Sequence, residues 1–219
     1  MEYWINSSNK DNLIIFYNGW GLDEKPFLGL TCSDYDVIMF YDYNSIDTPK
    51  IDVKKYKKIY NIGYSFGVLV MSIIGKKVCD REYFWAINGN TKMISKEFGI
   101  RKEIFDATLK TIENDGVNKF YENIFKDQDE FKAFLNKKPE RSLENQVLEL
   151  KKLEELTKNN VIPVFDKALI SKKDKIVFSL SQKRFCNHYN IKYKEIDSGH
   201  FPFFIYNSWD EIIEEFLNI

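Results

Sequence analysis

Residues 58–75 read KIYNIGYSFGVLVMSIIG, and the order of residue types in this stretch decides the fold. Ile59 to Ile62 is a short apolar run that predicts a buried strand. Gly63-Tyr64-Ser65-Phe66-Gly67 is a G-x-S-x-G turn, and Val68 to Ile74 is apolar enough for a buried helix, with Gly75 placed to stop it. Strand, sharp turn and helix are the context a nucleophile elbow requires. The serine must sit on a strained turn so that its hydroxyl projects from the end of a sheet. Glycines flank it because side chains there would strike the neighbouring strand and helix. A helix that begins at the serine aims its free N–H groups at developing negative charge. Alone, the pentapeptide fits an ordinary buried turn equally well, so the functional reading depends on partners elsewhere in the chain.

Upstream, Leu13 to Tyr17 (LIIFY) is a continuous apolar run, as expected of a strand buried on both faces of a parallel sheet. It runs into Asn18-Gly19-Trp20-Gly21. Tyr3 to Ile5 predicts a short edge strand, and Asp36 to Tyr43 a further strand. The segments between them, DEKPFLGLTCSDY and NSIDTPKIDVKKY, contain prolines and no sustained helical period. They are long enough for parallel crossovers, but they predict irregular loops and a sheet with thinner helical cover than usual.

Downstream, Tyr83 to Ile87 predicts a strand that ends in Asn88-Gly89-Asn90. Apolar residues then recur at helical spacing in three runs: Ile100, Ile104, Phe105, Leu109, Ile112; Phe120, Ile124, Phe131, Phe134, Leu135; and Leu143, Val147, Leu150, Leu153, Leu156. The predicted organisation is an α/β core over 1–95 and 160–219 interrupted by a helical insertion over 96–159. That insertion is either a plain helical part of the core or a lid above the substrate. Lys167 to Ile170 and Ile191 to Ile196 return to strand. Ser208-Trp209-Asp210-Glu211 is a capping box, and Trp209, Ile212, Ile213, Phe216 and Leu217 give the final helix its core face.

The 219 residues suit one domain with an insertion, and 44% hydrophobic residues suffice for a packed core. A net charge of −1 offers no bulk attraction to nucleic acid or an anionic membrane. Cys32, Cys79 and Cys186 are odd in number and widely spaced, which fits a reducing compartment without structural disulfides. The opening MEYWINSSNKDN lacks the apolar run of a signal peptide, and Phe66 to Ile74 is too short to cross a bilayer. A soluble, cytoplasmic protein is expected, and no ligand cluster calls for a metal or organic cofactor.

A serine hydroxyl needs a base that takes its proton and returns it to the leaving group. The chain has two histidines. His188, in RFCNHYN, reads as a solvated helix end. His200 follows the last strand, between Gly199 and Phe201-Pro202, where a loop at the end of the sheet places it. The base needs an acid to hold its tautomer. Asp174 lies just past the strand Lys167 to Ile170, whereas Asp166 is at the wrong end of that strand and Asp197 is too close to His200 to turn back. The tetrahedral oxyanion needs two N–H donors: the backbone of Phe66, next to the serine, and that of Trp20, in the loop after the first long strand.

The segments FYNGWGLD, IGYSFG, AINGN, ALISKKDKI and DSGHFPF recur in order from Phe16 to Phe203. With them the chain resembles the α/β-hydrolase superfamily, and within it the BioG-type pimeloyl-[acyl-carrier protein] methyl ester esterases. The resemblance implies a Ser65, Asp174, His200 triad with Trp20 and Phe66 as oxyanion donors, a helical lid, and fewer flanking helices. It also implies hydrolysis of the methyl ester of pimeloyl-carrier protein without a cofactor. Tyr64 stands where related esterases often have tryptophan, and Asn18 replaces the histidine of the common H-G motif. An acidic carrier protein would meet cations on the lid, for which Lys132, Lys137, Lys138, Arg141, Lys151 and Lys152 are candidates, although a solvated helix face of mixed charge explains them as well. A monomer is expected, with neither nucleic acid nor membrane as partner. The rival readings are a general carboxylesterase or thioesterase of the same fold, and a scaffold that binds a partner without catalysis.

Overall fold

The apolar run at Leu13–Tyr17 is buried on two sides because its alternate residues enter two different cores. Leu13, Ile15 and Tyr17 pack with Val68, Leu69 and Met71, whereas Ile14 and Phe16 pack with Trp209, Ile213 and Phe216. The computed structural model describes residues 1–80 and 83–219. Among them, β1 (Glu2–Asn6), β2 (Asn12–Tyr17), β3 (Tyr35–Tyr41), β4 (Lys58–Tyr64), β5 (Tyr83–Ile87), β6 (Lys167–Ser171) and β7 (Lys192–Ile196) form one sheet, ordered β1-β3-β2-β4-β5-β6-β7. β1 runs antiparallel to β3, and the other neighbours are parallel. β3 ends at Tyr41, two residues before its expected end, because Asp42 turns to a φ of 57°.

The helices are α1 (Phe66–Val78), α2 (Lys102–Asp115), α3 (Asn118–Ile124), α4 (Gln128–Leu135), α5 (Leu143–Thr157), α6 (Ser179–His188) and α7 (Trp209–Leu217). α1 packs on one face of the sheet and α7 on the other, where Trp85 of β5 stacks on Phe216 at 4.7 Å between ring centroids. The crossovers from β2 to β3 and from β3 to β4 hold no α-helix, only a 3-10 turn at Lys25–Phe27, which is the thin cover the prolines indicated. α2 to α5 fall between β5 and β6, inside the segment where helical periodicity was read.

Several local expectations change. Gly75 does not stop α1, which continues to Val78. Its missing side chain serves packing instead: a Cβ there would lie 2.8 Å from Cε1 of Phe84 on β5. The run Phe120 to Leu135 is two helices, α4 being started by Asp127, whose side chain accepts from the N–H groups of Asp129 and Glu130. Leu143 and Leu217 are exposed, while the polar Gln146 and Glu149 are buried on α5. Ser208 caps α7 by accepting from the Glu211 N–H at 3.1 Å, but Glu211 reaches back to the N–H of Asn207, one residue earlier than a strict capping box.

At the carboxyl edge of the sheet, Asn88 ties β5 to β6 and to the loop after β7. It adopts a φ of 48°, a conformation asparagine tolerates better than most residues. Its Nδ2 donates to Ser171 Oγ at 2.7 Å and to the His200 carbonyl at 2.8 Å, and its Oδ1 accepts from the Ser171 N–H at 2.7 Å. Asn88→Ala deletes these buried bonds, strands the Ser171 N–H and leaves alanine at positive φ. The expected loss is about 2–4 kcal/mol, read as a lower urea midpoint with an unchanged slope.

Candidate active site

Ser65 sits between β4 and α1 with φ 53° and ψ −125°, a conformation that costs a non-glycine residue about 1–3 kcal/mol. Its surroundings hold it there. The Ser65 N–H donates to the Ile87 carbonyl at 2.9 Å, and the Ser65 carbonyl accepts from the Val68 N–H at 3.1 Å. Both flanking glycines are required by close approach: a Cβ on Gly63 would lie 2.7 Å from the Val68 Cα, and one on Gly67 would lie 2.0 Å from the Tyr17 carbonyl oxygen. Tyr64 is buried, its ring 5.4 Å from that of His200. Burial, with the nearby Asp174 charge adding to it, pushes the Tyr64 hydroxyl well above the usual tyrosine range.

The structure brings Ser65, His200 and Asp174 together. Nε2 of His200 is 2.9 Å from Ser65 Oγ, and Nδ1 is 2.7 Å from Asp174 Oδ2. The carboxylate is buried and saturated with donors: Oδ1 accepts from the N–H groups of Ile176 and Val177, and Oδ2 also accepts from Gln182 Nε2 at 3.0 Å. Gln182, on α6, also donates to the Val177 carbonyl at 2.7 Å. Both of its neighbours are acceptors, so the amide has one sensible orientation. Asp197 points elsewhere, toward Lys173 at 2.8 Å, and His188 is an exposed helix end. Gln182 and Asn88 were not singled out from sequence. A faint signal existed for Gln182, which lies three and four residues before the buried Phe185 and Cys186 and so shares their helix face.

Phe66 is the first residue of α1 and has no carbonyl one turn back to bond. In the loop after β2, Gly19 donates to Asn18 Oδ1 at 2.7 Å and Gly21 to Glu149 Oε2 at 2.9 Å. The Trp20 N–H between them has no acceptor among the described residues. Gly19, Trp20, Phe66, Ser65 and His200 form the floor of a cavity of about 540 Å³. Its walls are largely apolar, built from Phe105 and Ile112 of α2, Phe120 of α3 and Leu150 of α5, and such volume and lining suit an acyl chain.

The cations nearest this cavity are Lys119 and Lys175, which line it; none of the six cations proposed from sequence does. Arg141 is a correction. Its side chain is 7% exposed and is committed to Glu149 at 2.7 Å, Asp42 at 3.3 Å and the Asn145 side chain, so it is not free to meet a partner. Lys132, Lys151 and Lys152 make ion pairs with Asp129, Glu113 and Glu155, and Lys137 and Lys138 are exposed. Among the described residues no group of three or more His, Cys, Asp or Glu is placed to hold a metal ion, and no helix is long and apolar enough to cross a membrane.

The crystal structure of BioG from Haemophilus influenzae is similar to this chain with a TM-score of 0.87 at 23% identity, covering 96% of this chain and 99% of that one. The enol-lactonase of Burkholderia xenovorans LB400 follows at a TM-score of 0.68 and 14% identity, covering 100% and 96%. The common fold is the α/β-hydrolase fold. Malonyl-[acyl-carrier protein] O-methyltransferase of Bacteroides fragilis (strain 638R) is 29% identical over 193 residues, 86% of this chain and 39% of that protein, so the chain spans about two fifths of this relative's length. The family described as "Pimeloyl-ACP methyl esterase BioG" matches residues 1–212, a span that takes in β1 to β7 and α1 to α6, and to that family this chain belongs.

Proposed function

We propose that this chain is a serine esterase that removes the methyl group from pimeloyl-[acyl-carrier protein] methyl ester. The observation that carries this reading is the continuous chain of short contacts from Ser65 Oγ through the His200 ring to Asp174, at the floor of an apolar cavity. The family match and the carrier-protein wording of the Bacteroides relative support the substrate.

His200 Nε2 takes the Ser65 proton as Oγ attacks the methyl ester carbonyl. The N–H groups of Trp20 and Phe66 stabilise the oxyanion. The tetrahedral intermediate collapses, His200 protonates the departing methoxide, and methanol leaves an acyl-enzyme. A water deprotonated by His200 then attacks that ester, releasing the free carboxylate of pimeloyl-carrier protein and restoring Ser65. In this reading α2 to α5, within 96–159, are a lid. The methyl ester end lies at Ser65, and the thioester end leaves through the mouth toward the carrier. Position thus decides which of two acyl bonds is cut. Lys119 and Lys175 at the mouth, with Lys132, Lys151 and Lys152 on the helices and Lys137 and Lys138 between α4 and α5, would attract the acidic carrier.

Methyl pimeloyl-carrier protein should be hydrolysed with a far higher kcat/KM than p-nitrophenyl acetate, and the expression of the chain should rescue biotin auxotrophy in a bacterium lacking its pimeloyl esterase. Preference for the small ester, without rescue, would mark a general carboxylesterase. A fluorophosphonate should label the protein and fail to label Ser65→Ala; absence of labelling in the parent would favour a non-catalytic scaffold. Asp174→Asn should lower kcat by roughly 10⁴-fold with KM little changed, because the amide stabilises the wrong imidazole tautomer.

A further inference from the structure

Asn18 ties the start of the loop that carries Trp20 to β3, its N–H donating to the Phe40 carbonyl at 2.9 Å. Further along, Trp20 and Gly21 take partners from α5, more than a hundred residues away in sequence. Glu149 Oε2 accepts from the Gly21 N–H at 2.9 Å, and its Oε1 accepts from the Tyr43 N–H at 2.8 Å. Gln146 Nε2 donates to the Gly21 carbonyl at 2.8 Å, and the Gln146 carbonyl accepts from the Trp20 indole at 2.7 Å. Gly21, at a φ of 74°, is therefore held at both its N–H and its carbonyl by one turn of α5, and the Tyr121 hydroxyl of α3 also donates to that carbonyl at 3.1 Å.

Glu149 is fully buried, and its placement is itself supported. Arg141 Nη1 donates to Oε2 at 2.7 Å and to the Leu22 carbonyl at 3.2 Å, so the guanidinium braces the carboxylate and the loop together. Burial pushes the Glu149 carboxyl up, while Arg141 and the two backbone donors act against that rise. A buried carboxylate with charge-assisted bonds on both oxygens is a strong, directional acceptor. By claiming the Gly21 N–H, and with Asn18 claiming that of Gly19, the flanking acceptors leave the intervening Trp20 N–H without a protein partner, beside the Ser65 floor of the cavity.

We propose that Glu149, braced by Arg141 and assisted by Gln146, is a positioning residue for the oxyanion site: it fixes the Gly19–Gly21 loop so that the Trp20 N–H faces the reacting carbonyl. This deepens the esterase reading and rests on its assignment of Ser65 and Trp20. None of these three side chains touches the reacting atoms. Their effect passes through the loop, and it makes the oxyanion site dependent on the docking of α5 against the sheet.

The test compares the parent with Glu149→Gln and with the double variant Arg141→Met/Glu149→Leu. The first retains one acceptor oxygen for two N–H groups. The second removes both charges together, which spares the fold the cost of a lone buried charge, yet still leaves Gly21 without its acceptor. In both, kcat for methyl pimeloyl-carrier protein should fall on the order of 10²-fold with KM within about threefold, as expected when an interaction made in the transition state is weakened. The affinity of the trifluoromethyl ketone analogue of methyl pimelate, whose adduct on Ser65 carries an oxyanion, should fall in parallel. Unchanged kcat in folded variants would overturn the proposal, as would a rise in KM alone. Unfolding of both variants by circular dichroism would also overturn it, by assigning the network to folding. Activity persisting in Ser65→Ala would instead defeat the underlying esterase reading, and that outcome is separate from any result at Glu149.

Discussion

The structure turns on a contact with no room in it. The first turn of α1 is pressed so closely onto the end of β2 that a side-chain carbon on Gly67 would fall 2.0 Å from the Tyr17 carbonyl oxygen. That approach sets where the helix begins, and with it the conformation of Ser65 one residue earlier. A serine at φ 53° survives because its peptide groups are claimed on both sides, by Ile87 and by Val68. Local strain of this kind persists where the surroundings over-determine it. Everything else at the carboxyl edge of the sheet is arranged around the hydroxyl that results.

Few helices cover the sheet, and buried or half-buried carboxylates do part of their work. The crossovers that lack helices must still satisfy their backbone N–H groups. Asp36 accepts from the N–H groups of Ser8 and Lys10, from Ser7 Oγ and from Tyr56 Oη. Burial would raise this carboxyl, but those donors outweigh it and hold it below its ordinary value. Asp23 receives the N–H groups of Lys25 and Glu140, Asp210 those of Ser33 and Asp34, and Glu149 those of Gly21 and Tyr43. Each pins a loop that hydrogen bonds within a helix would otherwise have ordered. Glu149 differs in that the loop it pins borders the cavity.

Much of the sheet was legible because burial of a parallel strand writes itself into a short run. LIIFY and YFWAI are apolar throughout because both of their faces enter cores, and the predicted and observed strands coincide to within a residue. The serine, histidine and aspartate were legible for a different reason: each follows a strand, and parallel strands deliver their carboxyl ends to one edge. Helix interiors were read less well. Leu143 and Leu217 continue an apolar period and yet are exposed, and Gly75 looked like a terminator although it is a packing contact with Phe84.

What the sequence determined by itself is local: an elbow whose residues lie within one another's reach along the chain, and an order of strands with chemistry at their ends. What the tertiary structure alone decided is the partnership of buried polar groups. Arg141 reads as a surface cation on a charged helix until the fold sets it against Glu149, which in turn meets the loop at Gly21 across 128 residues of chain. Gln182 is an unremarkable helical glutamine until Asp174 presents an acceptor. A polar side chain is tolerated in a core by virtue of the partner it meets there, and that partner is chosen by the fold rather than by the residues beside it.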